Sequence, residues 1–249
     1  MLKASDDNEG GTKMIGLIGA MDIEVNGIIE KMTDTASETI SGINFTRGRL
    51  GGTECVAAKS GIGKVNAAVC AQTMIMRYDP ECIINTGIAG STCEKTHIGC
   101  VVIARAVVQH DMDTTIIGDR PGELFLPDES IIEIPCSEEL IKRLEAACHS
   151  IGENNRVTGI IATGDQFIGG NERRAALNDR FGAIACEMEG GSIGQVCRIN
   201  NLPFAVLRCI SDSMSSEDDG IEYSSFSRLA ADKSVQIITA FVQSANDLF

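Results

Sequence analysis

Two short acidic segments contain the side chains of this sequence that are best suited to do chemistry together. The first is Glu187-Met188-Glu189, and the second runs from Arg208 to Asp212. Three carboxylates and one guanidinium that meet at one place would stabilise a cationic, sugar-like transition state. Acidic residues near strand ends are also common in solvated turns and in structural ion pairs, so these segments alone leave both interpretations open.

The sequence around these segments predicts that they meet at one edge of a sheet. An apolar run at 183–186 precedes the first segment, and a second run at 203–207 precedes the other. Residues 191–199 are long enough for one crossover helix between them, which predicts a β-α-β unit. Open α/β sheets bind their ligands at the carboxyl ends of such parallel strands. We therefore expect the two acidic segments to lie side by side at the ends of neighbouring strands.

Strands and helices alternate along the rest of the sequence, without an internal repeat or a low-complexity linker. This order predicts a three-layer α/β sandwich, in which helices flank a central mixed, mostly parallel sheet. We expect a disordered extension over residues 1–13 and one domain over residues 14–249. Residues 111–136 lack periodicity and contain Pro121 and Pro127, which predicts a long functional or interface loop. The predicted segments are strands at 14–18, 43–50, 54–59, 82–85, 100–109 and 157–162, and helices that begin near Asp22 and Ser60 or span 137–151 and 225–245.

The composition excludes several classes of function. The chain has 249 residues and a formal net charge of −14, which leaves no basic field for nucleic acid or for an anionic membrane surface. No apolar run approaches the roughly 18 residues that a membrane-spanning helix needs. Ten scattered cysteines without a CxxC pair indicate free thiols in a reducing compartment rather than a zinc site. Because the first 13 residues are polar and glycine-rich, unlike a secretory signal, we expect a cytoplasmic protein with no bound metal.

Two glycine-rich turns do not have the pattern of a nucleotide-cofactor site. The turn from Gly16 to Gly19 lacks the spacing of a dinucleotide fingerprint. The turn from Gly61 to Lys64 is followed by Val65, where a phosphate-binding P-loop has Ser or Thr. Both turns are better explained by a close approach of the backbone to a ligand or a neighbouring helix. We therefore expect no cofactor.

Two aromatic or imidazole side chains follow predicted strand ends, and each has two interpretations. His110 could be a catalytic base, but no Ser, Cys or Asp constellation accompanies it, so a structural role that orders the loop is favoured. Phe167 is one of few aromatic residues, since these make up 4% of the chain. It would be unremarkable in a core, whereas at a sheet edge beside carboxylates it could stack on a flat heterocycle.

Six short motifs, each weak alone, become specific when they occur together and in order. With them, nearly all of residues 14–246 closely resembles the 5′-methylthioadenosine/S-adenosylhomocysteine nucleosidases, within the purine nucleoside phosphorylase superfamily. The resemblance implies a homodimer that hydrolyses the N-ribosidic bond of 5′-methylthioadenosine and S-adenosylhomocysteine, a small nucleoside substrate class, and releases adenine and the thioribose. The motifs are Ile18-Gly19-Ala20-Met21-Asp22-Ile23-Glu24, Lys59-Ser60-Gly61-Ile62-Gly63-Lys64, Asn85-Thr86-Gly87, Gly164-Asp165-Gln166-Phe167-Ile168, Glu187-Met188-Glu189 and Arg208-Cys209-Ile210-Ser211-Asp212.

The resemblance implies one acid and one base. Cleavage passes through an oxocarbenium-like state, and the purine must leave as a neutral base, which requires a proton at N7. The resemblance assigns this proton transfer to Asp212, oriented by Ser211. It assigns activation of the attacking water, on the opposite face of the sugar, to Glu24. An acid on one side and a base on the other is the arrangement of an inverting glycosidase.

The resemblance also assigns residues to parts of the substrate. Glu189 is implied to bind the ribose hydroxyls, with Met188 packed against the sugar, and such bonds strengthen as positive charge grows on the ring. Phe167 is implied to stack on adenine, and the Ile168 backbone to read the Watson–Crick edge of the base. The remaining positions are Met21 and Ile62 on the sugar and thioalkyl side, Arg208 beside the water site and its neighbouring carboxylates, and Glu187 with no assigned role.

Two other enzymatic activities remain open within this fold. A phosphate-dependent purine nucleoside phosphorylase needs cationic or donor groups around the phosphate, yet Lys31 is the only Lys or Arg within residues 14–46. Glu24 would repel a phosphate, and Ile88 stands where many relatives carry a Ser whose hydroxyl helps to bind water or phosphate. Hydrolysis is therefore favoured. A futalosine-type nucleosidase would keep the same residues, so the sequence separates it poorly.

Two further points concern binding and assembly. A non-catalytic nucleoside-binding module would be marked by loss of Glu24 or Asp212, and the sequence has both. In relatives, the loop that matches residues 111–127 presents aromatic side chains to the pocket of the neighbouring subunit. Here that loop carries Thr114 and Ile117, together with Asp119, where those groups are expected. We expect the dimer to persist and the preference for the 5′-substituent to differ.

Overall fold

Helices and strands alternate in a computed structural model that describes residues 13–213 and 219–245. The predicted N-terminal extension therefore lies outside the described residues, apart from Lys13. The strands are β1 (Met14–Gly19), β2 (Thr33–Ile40), β3 (Ile43–Leu50), β4 (Thr53–Lys59), β5 (Cys82–Ser91), β6 (Val101–Gln109), β7 (Leu124–Phe125), β8 (Ser130–Ile131), β9 (Ile134–Pro135), β10 (Arg156–Thr163), β11 (Ala183–Glu187) and β12 (Phe204–Asp212). The helices are α1 (Asp22–Ile29), α2 (Lys64–Tyr78), α3 (Glu138–Ser150), α4 (Asn171–Phe181), α5 (Gly190–Ile199) and α6 (Asp219–Gln243).

The large sheet has the strand order β11-β10-β6-β12-β5-β1-β4-β3-β2. Parallel pairings join β1 to β4 and β5, β12 to β5, and β10 to β6 and β11. Antiparallel pairings extend the sheet through β3 and β2 and connect β12 to β6. The predicted mixed sheet flanked by helices is confirmed.

One additional pairing closes part of this sheet on itself. Ala185 and Cys186 of β11 pair antiparallel with Ser91 and Gly90 at the end of β5, although three other strands separate β11 from β5 along the strand order. The prediction that the two acidic segments follow neighbouring strands is therefore wrong, because β11 and β12 do not pair within the described part of the chain. They meet because β5 pairs with both of them.

Helices cover both faces of the sheet and produce two apolar cores, as a three-layer sandwich requires. On one face, α1, α3 and α6 pack side chains such as Val25, Leu144 and Phe241 against Leu17 and Ile84. On the other face, α2 and α5 pack a separate set of apolar side chains against the sheet, which includes Met74 and Ile193. The wholly buried strands β1 and β5 lie between these layers, so residues at their carboxyl ends are rigidly placed.

Several elements differ from the sequence-based predictions. Strand β2 and helix α4 were not predicted, and β5 continues six residues beyond Asn85 to Ser91. Residues 111–136 are irregular as predicted, except for a 3-10 turn at Thr115–Ile117 and the short strands β7, β8 and β9. The last helix begins at Asp219 rather than near Ser225.

The ten cysteines are all free, and nine of them are buried. Burial raises the pKa of the Cys70 thiol to about 12, and several others behave in the same way. A thiol with such a high pKa is almost entirely protonated at neutral pH and is therefore unreactive. Within residues 13–213 and 219–245, no helix is both long and apolar enough to cross a membrane.

Candidate active site

A cleft of about 620 Å³ opens where β1, β5, β11 and β12 end. Ten of the eleven residues that the sequence analysis selected line it, and Arg208 lies buried beneath them. The structure therefore brings the whole predicted set together. The ten are Met21, Glu24, Ile62, Phe167, Ile168, Glu187, Met188, Glu189, Ser211 and Asp212.

Glu24 enters the cleft from the first turn of α1, and it is buried. One carboxylate oxygen accepts hydrogen bonds from the backbone N–H groups of Ala20 (2.7 Å) and Met21 (2.9 Å), so Glu24 also caps its own helix. The other oxygen accepts from the N–H of Ile88 at 3.0 Å. Burial raises the pKa of Glu24 despite these donors and the nearby charge of Arg208. A carboxylate with a raised pKa is a stronger base than an exposed one, as water activation requires.

Asp212 ends β12 on the other side of the cleft, and both of its oxygens are bound. Ser211 donates its hydroxyl to Oδ1 at 2.7 Å, which agrees with the orienting role that the resemblance implies. Oδ2 forms an ion pair with the guanidinium of Arg174, a residue of α4 that is fully buried. The sequence analysis did not identify Arg174 as part of the site.

Strand β5 reaches both carboxylates through glycine. A Cβ built on Gly87 would lie 2.3 Å from Oε1 of Glu24, and one on Gly90 would lie 2.7 Å from Oδ2 of Asp212. Real Cβ atoms do not approach other atoms this closely, so any side chain at either position would displace a carboxylate. Gly87 and Gly90 therefore place backbone, rather than side chains, against the two candidate catalytic groups.

Arg208 and Glu187 form a buried ion pair beneath the cleft. The same guanidinium donates to Oδ1 of Asn85 at 2.6 Å and lies 3.7 Å from the carboxylate of Glu189. Glu187 also accepts from the hydroxyl of Thr163 and from the N–H groups of Glu189 (3.0 Å) and Gly190 (2.7 Å). Both carboxylate oxygens of Glu187 therefore accept hydrogen bonds from within the protein. Through these contacts Glu187 holds Arg208 and the turn after β11 in place, which is a structural role that the sequence left unassigned.

Glu189 projects into the cleft just after β11. One of its oxygens accepts from the N–H of Gly63 at 2.9 Å, so the Gly61–Lys64 turn approaches a protein carboxylate at this point. Gly63 has a φ of +96°, and a Cβ there would lie 2.9 Å from Asp165, so glycine is required. Burial and the adjacent Glu187 charge raise the pKa of Glu189 to about 7.

One wall of the cleft is aromatic and apolar. The ring of Phe167 is half exposed and meets Tyr223 of α6 edge to face, with 5.6 Å between ring centroids. The Tyr223 hydroxyl donates to the thioether sulfur of Met21 at 3.4 Å. Together with Ile62, these side chains give the cleft one apolar end. Tyr223 was missed because it lies within a polar stretch that has no apolar period, 16 residues after the end of the predicted strand run at 207.

Two buried polar atoms near Glu24 have no partner among the described residues. They are Nε of Arg208 and the hydroxyl of Thr86. Ile88 lines the cleft, and its side chain packs with Cys209, Ala230 and Ala231 against α6. Buried donors without partners are rare in native proteins, and a bound water or substrate oxygen is their usual explanation.

His110 does not line the cleft, and its contacts support the structural role. Its Nε2 lies against Gly164, where a Cβ would be only 2.3 Å away, and burial lowers the pKa of His110. The neighbouring Asp111 pairs with Lys64 at 2.7 Å and accepts from the N–H of Asp165 at 2.9 Å. This cluster connects the loop after β6 to the start of α2 and to the loop that carries Phe167.

The fold and the cleft together define a class of protein. The model of the phosphorylase superfamily matches residues 14–243, and the chain therefore belongs to that superfamily. Among curated proteins, the 5′-methylthioadenosine/S-adenosylhomocysteine nucleosidase of Shewanella loihica is 39% identical over 219 residues, which are 85% of this chain and 91% of that protein. Within the superfamily, the chain belongs to the 5′-methylthioadenosine/S-adenosylhomocysteine nucleosidase family.

Solved structures agree with this assignment. The nucleosidase of the same name from Neisseria meningitidis, in complex with methylthio-immucillin-A, matches with a TM-score of 0.87 and 31% identity. The match covers 93% of this chain and 99% of that one. A native structure of futalosine hydrolase from Helicobacter pylori also matches with a TM-score of 0.87 and 31% identity, over 94% of this chain and 98% of that one.

Proposed function

We propose that this protein hydrolyses the N-ribosidic bond of 5′-methylthioadenosine and S-adenosylhomocysteine and releases adenine and the thioribose. The observation that carries the proposal is the placement of Glu24 and Asp212 in one cleft, on two different elements. The names of its relatives, and the complex with methylthio-immucillin-A, support the nucleoside substrate. The apolar end of the cleft, at Met21 and Tyr223, suits an uncharged thioalkyl group.

The acid side of the reaction belongs to Asp212. As the bond between N9 and the anomeric carbon lengthens, electrons move into the purine, and a proton passes from Asp212 to N7. Adenine then leaves as a neutral base. Phe167 covers the base by stacking, and the Ile168 backbone reads its edge, since both residues line the cleft next to Asp212.

The base side belongs to Glu24. A water held by Glu24 attacks the anomeric carbon from the face opposite adenine, and Glu24 takes the proton that this water loses. The unpartnered Nε of Arg208 is a donor that can hold this water in line. Glu189 accepts hydrogen bonds from the ribose hydroxyls, and Met188 packs against the sugar.

Replacement of Glu189 by Gln is expected to lower kcat by about 10²-fold, because a carboxylate stabilises the growing positive charge on the ribose and an amide does not. The measurement is steady-state kinetics with 5′-methylthioadenosine, with Glu172→Gln on the exposed face of α4 as the matched control. If the variant raises only KM, Glu189 binds substrate and transition state equally, and its proposed role is incorrect.

Hydrolysis is favoured over phosphorolysis by the charges near Glu24. The Ile88 side chain is apolar, while Glu24 and Glu189 add negative charge that repels phosphate.

The decisive experiment follows adenine release from 5′-methylthioadenosine with and without phosphate and identifies the sugar by mass. Free methylthioribose at a phosphate-independent rate supports the proposal. A sugar 1-phosphate would contradict it, and no release at all would indicate another nucleoside or a binding role.

A futalosine-type nucleosidase is the second candidate, and one observation favours it specifically. The match to futalosine hydrolase is as good in TM-score as the match to the Neisseria meningitidis enzyme. Both substrates would use the same acid and base, so the pocket around the 5′-substituent decides between them. Parallel assays with futalosine and 5′-methylthioadenosine would rank the two by kcat/KM.

We further propose a homodimer that acts in the cytoplasm. The ten free thiols suit a reducing compartment. Ile116 and Ile117 are 97% and 77% exposed on the loop after β6, and Val65 on α2 is 73% exposed. Apolar side chains this exposed commonly mark a contact with another protein. Ile116 and Ile117 also belong to the loop, residues 111–127, that the resemblance places against the pocket of the partner subunit.

The double substitution of Ile116 and Ile117 by Asp is expected to produce a monomer, because charged groups resist burial in an interface. If the loop closes the partner's pocket, KM for 5′-methylthioadenosine should rise while adenine binding changes less. Sedimentation and steady-state kinetics on one sample test both points. Unchanged kinetics in a verified monomer would refute the closure by the partner's loop.

A further inference from the structure

Arg174, like Arg208, is among the largest side chains that the described part of the structure buries completely, and it does not line the cleft. It lies in the first turn of α4, and only one other residue of that helix, Leu177, is buried. A guanidinium without contact to water is costly unless its donors are paired. The contacts of Arg174 are therefore expected to have a purpose beyond the packing of α4.

Three hydrogen bonds join Arg174 to three separate segments around the purine end of the cleft. Nε donates to the carbonyl of Ile168 at 3.3 Å, in the loop after β10. One terminal nitrogen donates to the carbonyl of Ser91 at 3.3 Å, at the end of β5. The other terminal nitrogen forms the ion pair with Oδ2 of Asp212, at the end of β12. One side chain thus ties the proposed acid to the backbone that faces the edge of the base.

We propose that Arg174 is a positioning residue for base departure, which acts through Asp212. This inference rests on the proposed function, because it assumes that Asp212 gives a proton to the purine. Asp212 takes up a proton from solvent before that step; its O–H bond then breaks, the N7–H bond forms, and the negative charge restored on Asp212 faces the guanidinium again. Arg174 stabilises this charge as it develops, and it holds Ile168 at a fixed separation from Asp212.

The geometry around Asp212 supports a role in the chemical step rather than in ground-state binding. Ser211 holds Oδ1, Arg174 holds Oδ2, and Gly90 leaves no space for the carboxylate to move toward β5. Because Asp212 carries its proton when the step begins, its charge is restored only as the proton moves to N7, and a fixed donor aimed at that charge lowers the barrier more than it strengthens substrate binding. The inference therefore predicts an effect on kcat and little effect on KM.

The test compares Arg174→Gln, which keeps hydrogen-bonding capacity and removes the charge, with Arg174→Lys, which keeps the charge. Arg180→Gln is the matched control, since Arg180 is exposed on the same helix. With 5′-methylthioadenosine, we expect kcat to fall about 10²-fold for Arg174→Gln and about tenfold for Arg174→Lys, while KM changes less than about threefold. The control variant should match the unmodified protein, and thermal unfolding of each variant reports whether it is folded.

The result that would overturn the inference is a kcat for folded Arg174→Gln within about threefold of the unmodified protein, or equal losses in both variants with a raised KM. If Arg174→Gln does not fold, Arg174→Lys decides: a lower kcat at unchanged KM supports the inference, and any other outcome contradicts it. Asp212→Asn separates this inference from the proposed function. Loss of activity in Asp212→Asn with normal Arg174 variants removes only the inference, whereas an active Asp212→Asn removes the proposed function as well.

Discussion

Asp212→Asn is expected to lose about 10³-fold in kcat with 5′-methylthioadenosine, because an amide cannot give N7 the proton that lets adenine leave as a neutral base. The fold should survive this change. The side-chain oxygen of Asn can still accept from Arg174, and its NH2 group, in the place of Oδ1, can donate to the Ser211 hydroxyl, which turns to accept it. Single-turnover adenine release measures the chemical step directly, and circular dichroism confirms the fold.

The choice of Asn matters for this experiment. Both Asp212→Asn and Asp212→Leu remove the counter-charge of the buried Arg174 guanidinium, but Asp212→Leu also removes its hydrogen-bond acceptor, and breaking a buried ion pair in this way costs about 3–5 kcal/mol. Lost activity in that variant would then reflect unfolding as much as chemistry. Asp179→Asn, at an exposed position of α4, is the matched control for the substitution itself. A rate for Asp212→Asn near that of the control would exclude Asp212 as the general acid.

Glu24→Gln is expected to stop hydrolysis, with a loss of about 10³-fold or more in kcat, while adenine still binds. Gln has no basic oxygen that can accept a proton from water, yet its carbonyl oxygen can keep one of the backbone hydrogen bonds that hold Glu24 in place. Adenine binding by calorimetry and turnover of 5′-methylthioadenosine are the two measurements. Glu30→Gln, exposed directly after α1, is the control. Normal turnover in Glu24→Gln would contradict the proposed water activation.

The raised pKa of Glu24 also predicts how the stability of the protein depends on pH. Its value in the folded protein lies above 4.5, the ordinary value for Glu, so the folded state binds this proton more tightly than the unfolded chain. The stability that the protonated form contributes is complete below pH 4.5 and is lost as the pH rises through the folded pKa. At pH 8, Glu24→Gln should therefore unfold at the same or a higher temperature than the unmodified protein.

The raised pKa of Glu24 also affects activity, but activity needs the ionised form of Glu24, whereas stability is favoured by the protonated form. Because Glu24 acts as a base only when it is ionised, kcat/KM, which reports the free enzyme, should fall on the acid side at a pH above 4.5. A profile of kcat/KM from pH 4 to 9 measures this limb. An acid limb located below pH 4.5 would show that another group controls the rate. Glu24→Gln is thus expected to keep or raise the stability of the protein while it removes activity, which is the common conflict between stability and activity.

Much of the site follows from local sequence because most candidate residues lie at or just after the end of a buried strand or near the start of a helix. Glu187 and Asp212 could be predicted to converge for that reason. The way they converge could not be predicted, since it depends on the pairing of Ser91 with Ala185 between segments more than 90 residues apart. The strand order was therefore predicted incorrectly, although the selected residues lie around one cleft.

Other features of the structure are not indicated by the local amino-acid sequence. Arg174 belongs to a helix with mostly polar residues, and arginine in such a helix is normally solvated, so its complete burial is a tertiary effect. Strand β2 was missed because most of its side chains are polar and exposed, and its conformation depends on pairing with β3. Tyr223 reaches the cleft only because α6 returns across the sheet to Met21.

Gly87 and Gly90 of β5 make the geometry of the reacting centre independent of the side chains at the rim of the cleft, which are free to vary. Gly87 and Gly90 set the span between acid and base by main-chain geometry, so that span is unaffected by the side chains at the rim of the cleft. Lineages or mutant libraries can therefore explore new 5′-groups by changing Met21, Ile62 and Tyr223 without altering the reacting centre. An evolutionary change of substrate should be traceable to the rim, with the two glycines unchanged.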